Sequence, residues 1–162
     1  MDFPIGRILI ASLDHYLVRI IFTDDENVSL FSRLRKYYPV EMIVENREKN
    51  QTILKQLTEY FEGGRPVFSI PFRLQGTDFQ KAVWHAVDKV PYGQTCSYGE
   101  IAKQIGKPKA TRAVGYANKV NPIPIVIPCH RVIGANGSMV GFASGISLKE
   151  KLLDLERHFR FS

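Results

Sequence analysis

A cysteine next to a histidine is the feature of this sequence best suited to chemistry. Cys129 and His130 follow an apolar run that ends at Pro128, and an arginine comes next. A histidine can take the proton of a thiol, and nearby positive charge favours the thiolate, so the pattern predicts a nucleophilic cysteine. Successive residues of an extended strand point to opposite sides, so a direct contact between the two side chains requires a turn. A bridging water is the alternative route for the proton.

The same residues also fit an unreactive cysteine. A buried cysteine often packs as a small apolar side chain, and burial raises the pKa of its thiol. Taken alone, Pro128-Cys129-His130-Arg131 therefore leaves both interpretations open. The second cysteine, Cys96, is interpreted as structural. Two thiols in a chain that starts without the pattern of a secretory signal indicate a reducing compartment rather than a disulfide framework.

The positive charge of the chain is concentrated in its second half. The net charge is +6, residues 1–76 are neutral overall, and no acidic residue occurs between Ile101 and Lys149. A solvated basic face is one interpretation. Because acidic residues are also excluded, a polyanion-binding surface is favoured. The basic residues of this span are Lys103, Lys107, Lys109, Arg112, Lys119, Arg131 and Lys149.

Two short helices with helix-turn-helix proportions are predicted in the basic span. They cover Tyr98–Ile105 and Ala110–Asn118, joined by Gly106–Pro108. Small residues dominate the second helix and permit close approach to a minor groove, with Arg112 as its one long cationic probe. Close packing in the core is the alternative, and the flanking lysines favour DNA contact. The small residues are Ala110, Thr111, Ala113, Gly115 and Ala117.

Three Ser/Thr-x-x-Glu/Gln patterns predict helix starts in the second half. They begin at Thr77, Ser97 and Ser147, where the hydroxyl can cap a backbone N–H while the Glu or Gln reaches back. The apolar run Ile123–Ile127 predicts a strand that leads to the cysteine.

The first half reads as mixed α/β, and Leu74–Thr77 is the expected domain boundary. It is predicted to begin with a hairpin of Arg7–Ala11 and Leu17–Phe22 around Asp14-His15, followed by a helix over Leu30–Tyr37 and a strand at Met42–Val44. A second helix then carries the apolar residues Ile53, Leu57, Tyr60 and Phe61 and stops at Gly63-Gly64. An extended segment, Pro66–Phe72, completes the first half.

Several classes of protein are not expected. No apolar run is long enough to span a membrane. Histidines and cysteines lack the spacing of a zinc site. No glycine-rich dinucleotide or Walker-type loop is present, so neither a metal nor a cofactor is predicted.

Around Cys129 the sequence resembles the O6-alkylguanine-DNA alkyltransferases, also called methylated-DNA–protein-cysteine methyltransferases. The active-site signature of that family is matched by Ile127–Ile133. The resemblance covers the whole second half, whereas the first half matches in general layout, including its Pro4-Ile5-Gly6 start. Further matching segments are Phe79–Trp84, Pro91–Gly93, Ser97–Ala102, Arg112–Gly115, Gly141-Phe142 and the ending with Lys149, Leu152, Leu153 and Glu156.

The resemblance implies a role for each matching residue. Cys129 is the alkyl acceptor, and His130 is the base that takes its proton through a water. Glu156 orients and polarises the histidine. Asn121 braces the turn that carries the cysteine. Tyr98 crowds the phosphate beside the lesion and helps to donate a proton to the leaving guanine.

The resemblance also implies a set of DNA contacts. Arg112 enters the base stack and fills the gap left by the extruded nucleotide, which lowers the cost of flipping. The other residues expected at the substrate or DNA are Ala110, Thr111, Ala113, Gly115, Lys107, Lys109 and Ser144.

The implied fold class is α+β. A small N-terminal α/β domain, ribonuclease-H-like, covers residues 1–74, and a C-terminal helical winged helix-turn-helix DNA-binding domain covers residues 77–162. The implied function is direct-reversal repair of double-stranded DNA, with irreversible transfer of an alkyl group, above all methyl, from O6-alkylguanine to Cys129. O4-alkylthymine is a further candidate substrate. The thioether product has no hydrolysable bond, so each molecule acts once. A cytoplasmic monomer is expected, with no membrane partner.

Departures from the family pattern limit these expectations. Where the family usually shows two glycines, this chain has Ala143-Ser144-Gly145. The added hydroxymethyl of Ser144 is expected to narrow the pocket and to favour methyl over benzyl lesions. The zinc-binding residues found in the N-terminal domain of some members have no counterpart here.

Alternatives from other classes remain open. A non-catalytic DNA-binding regulator would use the helix-turn-helix alone, although non-repairing relatives in the wider family lack the cysteine. A cysteine hydrolase using Cys129 and His130 would need an oxyanion hole and would turn over repeatedly. The stoichiometry of the reaction discriminates among an alkyltransferase, a regulator and a hydrolase.

Overall fold

A β-hairpin opens the first half of the chain. The computed structural model describes residues 2–23, 32, 34–140, 142 and 144–160. In it, β1 (Asp2–Phe3) pairs antiparallel with β2 (Gly6–Leu13), and β2 pairs antiparallel with β3 (Tyr16–Thr23). Asp14 and His15 have φ values of 49° and 68°, which suits the two-residue turn of a twisted hairpin. The predicted hairpin is confirmed.

The predicted strand at Met42–Val44 is wrong. Val40–Met42 forms a 3-10 turn, and the side chains of Met42 and Val44 are 65% and 82% exposed, so a strand here would bury almost nothing. The strand that flanks β2 is β1 instead. Of the predicted helix Leu30–Tyr37, residues 30, 31 and 33 lie outside the described residues, while Ser32 and Leu34 are helical.

Helix α1 (Gln51–Phe61) follows its predicted pattern. Ile53, Leu57, Tyr60 and Phe61 are buried along one side. Gly63 stops the helix with a φ of 78°, a left-handed conformation that favours glycine. Of the segment Pro66–Phe72, predicted to be extended, residues 66 and 67 form a bend, and Phe72 forms an isolated bridge with Leu17. Leu17 exchanges backbone hydrogen bonds with Pro71 and Arg73 at 2.8 and 3.0 Å.

The second half is mainly helical. It contains α2 (Asp78–Asp88), α3 (Tyr98–Gln104), α4 (Thr111–Lys119) and α5 (Ile146–Arg160). Thr77 and Ser97 each form the predicted capping box with Gln80 and Glu100. The cap predicted at Ser147 is wrong, because α5 begins at Ile146, two residues before the start that such a cap predicts, and the Lys149 N–H bonds to the Gly145 carbonyl.

The run Ile123–Ile127, predicted as a strand, is a buried loop. All five residues are buried, the isolated bridge joins Pro124 to Ile127, and Ile125 has a φ of 74°. Prolines at 122, 124 and 128 lack the N–H that a strand ladder needs, which explains why the apolar run folds back on itself. Beyond this loop, β5 (Val132–Ile133) pairs in parallel with β4 (Cys96–Ser97) at the start of α3.

The core is continuous between the two halves. Ile8, Leu17 and Leu57 belong to the same buried cluster as Trp84 and Leu152. The Trp84 indole N–H also donates to the Ala117 carbonyl at 2.8 Å, which joins α2 to α4. The backbone between Phe72 and Asp78 is irregular, and the domain boundary at Leu74–Thr77 stays a prediction. Among the described residues, no helix is both long and apolar enough to cross a membrane.

Gly63 allows a direct test of the packing around α1. A Cβ at this position would lie 2.2 Å from the Phe159 ring, whereas Gly106, which also follows a helix with positive φ, has open space. We expect Gly106→Ala to lower the free energy of unfolding by about 1–2 kcal/mol through backbone strain. Gly63→Ala should cost about 1–3 kcal/mol more through overpacking, measured by urea unfolding. Equal losses for both variants would contradict the close contact.

Candidate active site

The turn that carries the cysteine is braced by one asparagine. Cys129–Arg131 form a single 3-10 turn, which supplies the turn that a contact between Cys129 and His130 requires. The Asn121 side chain accepts from the Ile123 N–H at 3.0 Å and donates to the Ile127 carbonyl at 2.8 Å. These bonds hold the two ends of the buried loop together, so the position of the turn is fixed.

Cys129 is 2% exposed and lies in a site that keeps its thiol protonated at rest. Burial raises the pKa of the thiol to about 11, against the opposing effects of Asn121 and the Lys149 charge. The Cys129 carbonyl accepts a hydrogen bond of 3.1 Å from the Asn118 side chain on α4. A nucleophilic role therefore requires a base that removes the proton during the reaction.

A carboxylate positions His130 by contacting the Nε2 atom of its ring. Its Nε2 lies 2.6 Å from Glu156 Oε1, and both side chains are fully buried. Its Nδ1 is buried and has no hydrogen-bond partner among the described residues. Burial lowers the pKa of His130, against the raising effect of Glu156, so the neutral ring is favoured at neutral pH. A neutral ring with its proton on Nε2 leaves Nδ1 as an acceptor.

Glu156 is held by donors from distant parts of the chain. Oε1 accepts from Tyr60 Oη at 2.8 Å, and Oε2 accepts from the Gly93 N–H at 2.9 Å. The Arg131 guanidinium reaches both carboxylate oxygens at 3.0–3.2 Å and also donates to the Val90 carbonyl. Burial raises the pKa of Glu156, but the hydrogen bonds and charges of His130 and Arg131 outweigh it and lower the pKa to about 2.

Tyr98 and Lys149 form a second polar group near the cysteine. The buried Lys149 ammonium donates to the Val140 carbonyl at 2.9 Å, to Tyr98 Oη at 3.3 Å and to the Val132 carbonyl. The Tyr98 hydroxyl donates to the Val140 carbonyl. Burial lowers the pKa of Lys149 to about 8 and raises that of Tyr98 to about 12. The sequence placed Lys149 in the basic span and did not indicate a contact with Tyr98, because a lysine in an amphipathic helix usually faces solvent.

The basic span is only partly a surface. Arg131 and Lys149 are buried in the networks above, which corrects their place in the predicted polyanion-binding face. The remaining cations are exposed: Lys103, Lys107, Lys109, Arg112 and Lys119. On and beside α4, Thr111 and Ala113 are exposed, and Ala110 and Gly115 are half-buried.

Two residues of α4 were missed by sequence reasoning. Tyr116 is 62% exposed and follows Arg112 by four positions, so it shares that residue's side of the helix. Asn118 is buried and donates to the Cys129 carbonyl, and its Oδ1 has no hydrogen-bond partner within the described part of the chain. A polar residue on the inner side of an amphipathic helix was the available signal for Asn118.

The loop before α5 is described in part. Ser144 is exposed in a turn, and Phe142 is buried, while Gly141 and Ala143 lie outside the described residues. Cys96 is half-buried in β4, and burial raises the pKa of its thiol to about 11. No group of three or more His, Cys, Asp or Glu side chains suited to a metal ion occurs among the described residues.

Two family models together match most of the chain. Residues 1–74 match the ribonuclease-like domain of 6-O-methylguanine DNA methyltransferase, and residues 78–158 match its DNA-binding domain. The chain belongs to the 6-O-methylguanine DNA methyltransferase family. The predicted α+β fold, with a ribonuclease-like part followed by a DNA-binding part, is confirmed.

Relatives of this methyltransferase family align with most of the chain. The methylated-DNA–protein-cysteine methyltransferase of Methanosarcina acetivorans is 47% identical over 153 residues, covering 94% of this chain and 93% of that protein. The inducible enzyme of that name from Bacillus subtilis is 45% identical over 141 residues, covering 85% of this chain and 79% of that protein. The crystal structure of Mycobacterium tuberculosis OGT in complex with DNA superposes with a TM-score of 0.85 at 40% identity, covering 98% of this chain and 91% of that one.

The depressed pKa of Glu156 predicts an acid-dependent loss of stability. The folded state holds this carboxylate ionised down to about pH 2, against an ordinary pKa of 4.5, so its contribution is complete above pH 4.5 and is lost as the pH falls towards 2. We expect Glu156→Gln to lower the free energy of unfolding by about 3 kcal/mol at pH 7, with a smaller difference from wild type below pH 4.5. Urea unfolding across this pH range measures both.

Glu150→Gln is the matched control, because Glu150 lies on the same helix and is exposed. It should change stability by less than about 0.5 kcal/mol. An undiminished difference between wild type and Glu156→Gln at pH 3 would show that the buried carboxylate does not account for the acid sensitivity.

Proposed function

We propose that this protein repairs alkylated DNA by moving the alkyl group of O6-alkylguanine to Cys129, once per molecule and without a cofactor. The observation that carries the proposal is the buried contact between His130 and Glu156, with His130 in the same turn as the buried Cys129. Alkyl transfer to a thiol requires a nucleophile and a base, and these residues supply both in a member of the 6-O-methylguanine DNA methyltransferase family.

The proton pathway follows from the hydrogen bonds of His130. Nε2 is engaged by Glu156, so Nδ1 is the ring atom that can take the proton of Cys129, through a bridging water. The carboxylate, held ionised by Arg131, stabilises the imidazolium that forms. A thiolate with a raised pKa is a strong nucleophile once it is generated.

The transfer itself is a single displacement. The sulfur of Cys129 forms a bond to the alkyl carbon as the bond from that carbon to O6 breaks, and the guanine leaves with a proton. Tyr98 is the proposed proton donor, since it lies beside Lys149 and burial keeps its phenol protonated. To donate, its hydroxyl would exchange the Val140 carbonyl for the guanine. The thioether product cannot be hydrolysed, which limits the protein to one turnover.

The substrate is proposed to be double-stranded DNA with a flipped nucleotide. The alkylated oxygen lies inside the duplex, so the base must leave the stack at a cost of a few kcal/mol. Arg112 is exposed on α4 and is proposed to fill the gap, while Lys107 and Lys109 contact phosphates. The half-buried Ala110 and Gly115 and the exposed Thr111 and Ala113 would lie against the minor groove. Exposed Tyr116 joins this surface and adds bulk beside these small residues.

Further parts of the proposal concern range and context. O4-alkylthymine is proposed as a secondary substrate, because it also presents an alkylated exocyclic oxygen on a flipped base. A monomer in the cytoplasm is proposed, in keeping with two free cysteines. The proposed domain division at residues 74–77 assigns Cys129 and the DNA contacts to the second domain.

Stoichiometry tests the proposal. The protein is incubated with excess duplex DNA carrying O6-methylguanine, and its peptides are then weighed by mass spectrometry. We expect one methyl group on the Cys129 peptide and no product beyond one equivalent. Cys129→Ala should bind the duplex and transfer nothing, while the matched control Cys96→Ala should transfer one equivalent. Continued turnover would indicate a hydrolase, and binding without modification would indicate a regulator.

Ser144 allows a test of lesion size. Its hydroxymethyl is proposed to narrow the alkyl pocket, so wild-type protein should react faster with O6-methylguanine than with O6-benzylguanine in the same duplex. We expect Ser144→Gly to raise the benzyl rate by about three- to tenfold, since steric strain of roughly 1 kcal/mol is removed. The methyl rate serves as the internal control. Equal methyl and benzyl rates in the wild-type protein would rule out this role.

A further inference from the structure

Tyr60 brings a hydroxyl from the first half of the chain into the centre of the candidate active site. It lies on α1 and is fully buried. Its hydroxyl donates to Glu156 Oε1 at 2.8 Å, and its oxygen lies 3.4 Å from His130 Nε2. The polar atoms of three side chains, those of Tyr60, Glu156 and His130, therefore lie close together, although Tyr60 is far from the other two in sequence.

The position of the Tyr60 hydroxyl is fixed by aromatic packing. Its ring makes edge contacts with Phe61 and Tyr92, with centroids 5.2 and 6.0 Å away, and a tilted contact with Phe68 at 5.5 Å. Burial raises the pKa of the phenol well above its ordinary value, and the Glu156 charge raises it further. The group is therefore a permanent donor to the carboxylate.

A hydroxyl that donates to Glu156 turns its lone pairs towards His130. Nε2 then faces two acceptors, the carboxylate Oε1 at 2.6 Å and the Tyr60 oxygen at 3.4 Å. An Nε2 that carries a proton is stabilised by both, whereas an unprotonated Nε2 would set its own lone pair against theirs. Arg131 and Gly93 also hold Glu156, but they are donors and cannot favour a proton on Nε2 by direct contact.

We propose that Tyr60 is a positioning residue for alkyl transfer, which holds His130 in the tautomer with its proton on Nε2 and so keeps Nδ1 available to accept the Cys129 proton. The inference rests on the proposed function and deepens it. It gives the ribonuclease-like first half a part in positioning the histidine of the second half, through one hydroxyl group.

Tyr60→Phe tests the inference, because it removes the hydroxyl and keeps the ring. We expect a folded protein with unchanged affinity for methylated duplex and a single-turnover transfer rate lower by about tenfold, the effect of losing a hydrogen bond to a charged group. Nitrogen NMR of ¹⁵N-histidine-labelled protein at pH 7 should show His130 as the Nε2–H tautomer in the wild type. In the variant, the signals should move towards a mixture of both tautomers.

Tyr92→Phe is the matched control. The Tyr92 hydroxyl is buried in the same aromatic cluster but has no hydrogen-bond partner among the described residues. Its removal should leave both the transfer rate and the His130 signals unchanged. A slower Tyr60→Phe with wild-type histidine signals would overturn the proposal, since packing alone would then explain the rate.

The wild-type spectrum provides a test even if Tyr60→Phe does not fold. A proton on Nδ1 of His130 in the resting wild-type protein would overturn the inference without any variant. Failure of the proposed function is seen separately, as the absence of a methyl group on wild-type Cys129. The histidine spectrum does not depend on that reaction, so the two failures are distinguishable.

Discussion

The structure around Cys129 depends on one buried carboxylate. Glu156 has no exposed surface, and an ionised group in that position is tolerated when it is paired and hydrogen-bonded on all sides. Its donors come from α1, from the turn at Gly93 and from the turn that carries the cysteine. Moving any of these segments would leave a buried charge or a buried donor unsatisfied. Glu156 therefore sets the geometry of the site as well as the electrostatics of His130.

The chemistry of Cys129 is a balance between burial and its polar neighbours. Burial dominates in the resting protein and keeps the thiol protonated, although Asn121 and Lys149 act in the opposite direction. If Cys129 is the proposed irreversible acceptor, this balance protects it, because a permanently exposed thiolate would react with any electrophile. In the proposed mechanism, the reactive form arises when His130 takes the proton while a flipped base lies against the sulfur.

Local patterns predicted much of the fold, while tertiary contacts decided the rest. Thr77 and Ser97 were predictable as caps because the bonds they make span three residues. The strand predicted at Ile123–Ile127 was wrong because a buried loop has the same apolar composition, and the prolines were the signal against it. Arg131 counts as a surface charge until its pairing with Glu156 is known. The pairing of His130 with Glu156 was assigned through family resemblance, since spacing alone does not bring together residues that are 26 positions apart.

The part played by the first half could not have been predicted in this way. The Ile20 N–H donates to the Pro122 carbonyl at 2.9 Å, so β3 holds the beginning of the loop that leads to Cys129. Tyr60 reaches the other side of the site, 96 positions before its partner Glu156. In sequence Tyr60 is one more apolar position of an amphipathic helix. These two contacts hold the loop before Cys129 and the histidine–glutamate pair. A second half separated from the first would therefore keep the side chains proposed for transfer but lose the bonds that fix their directions.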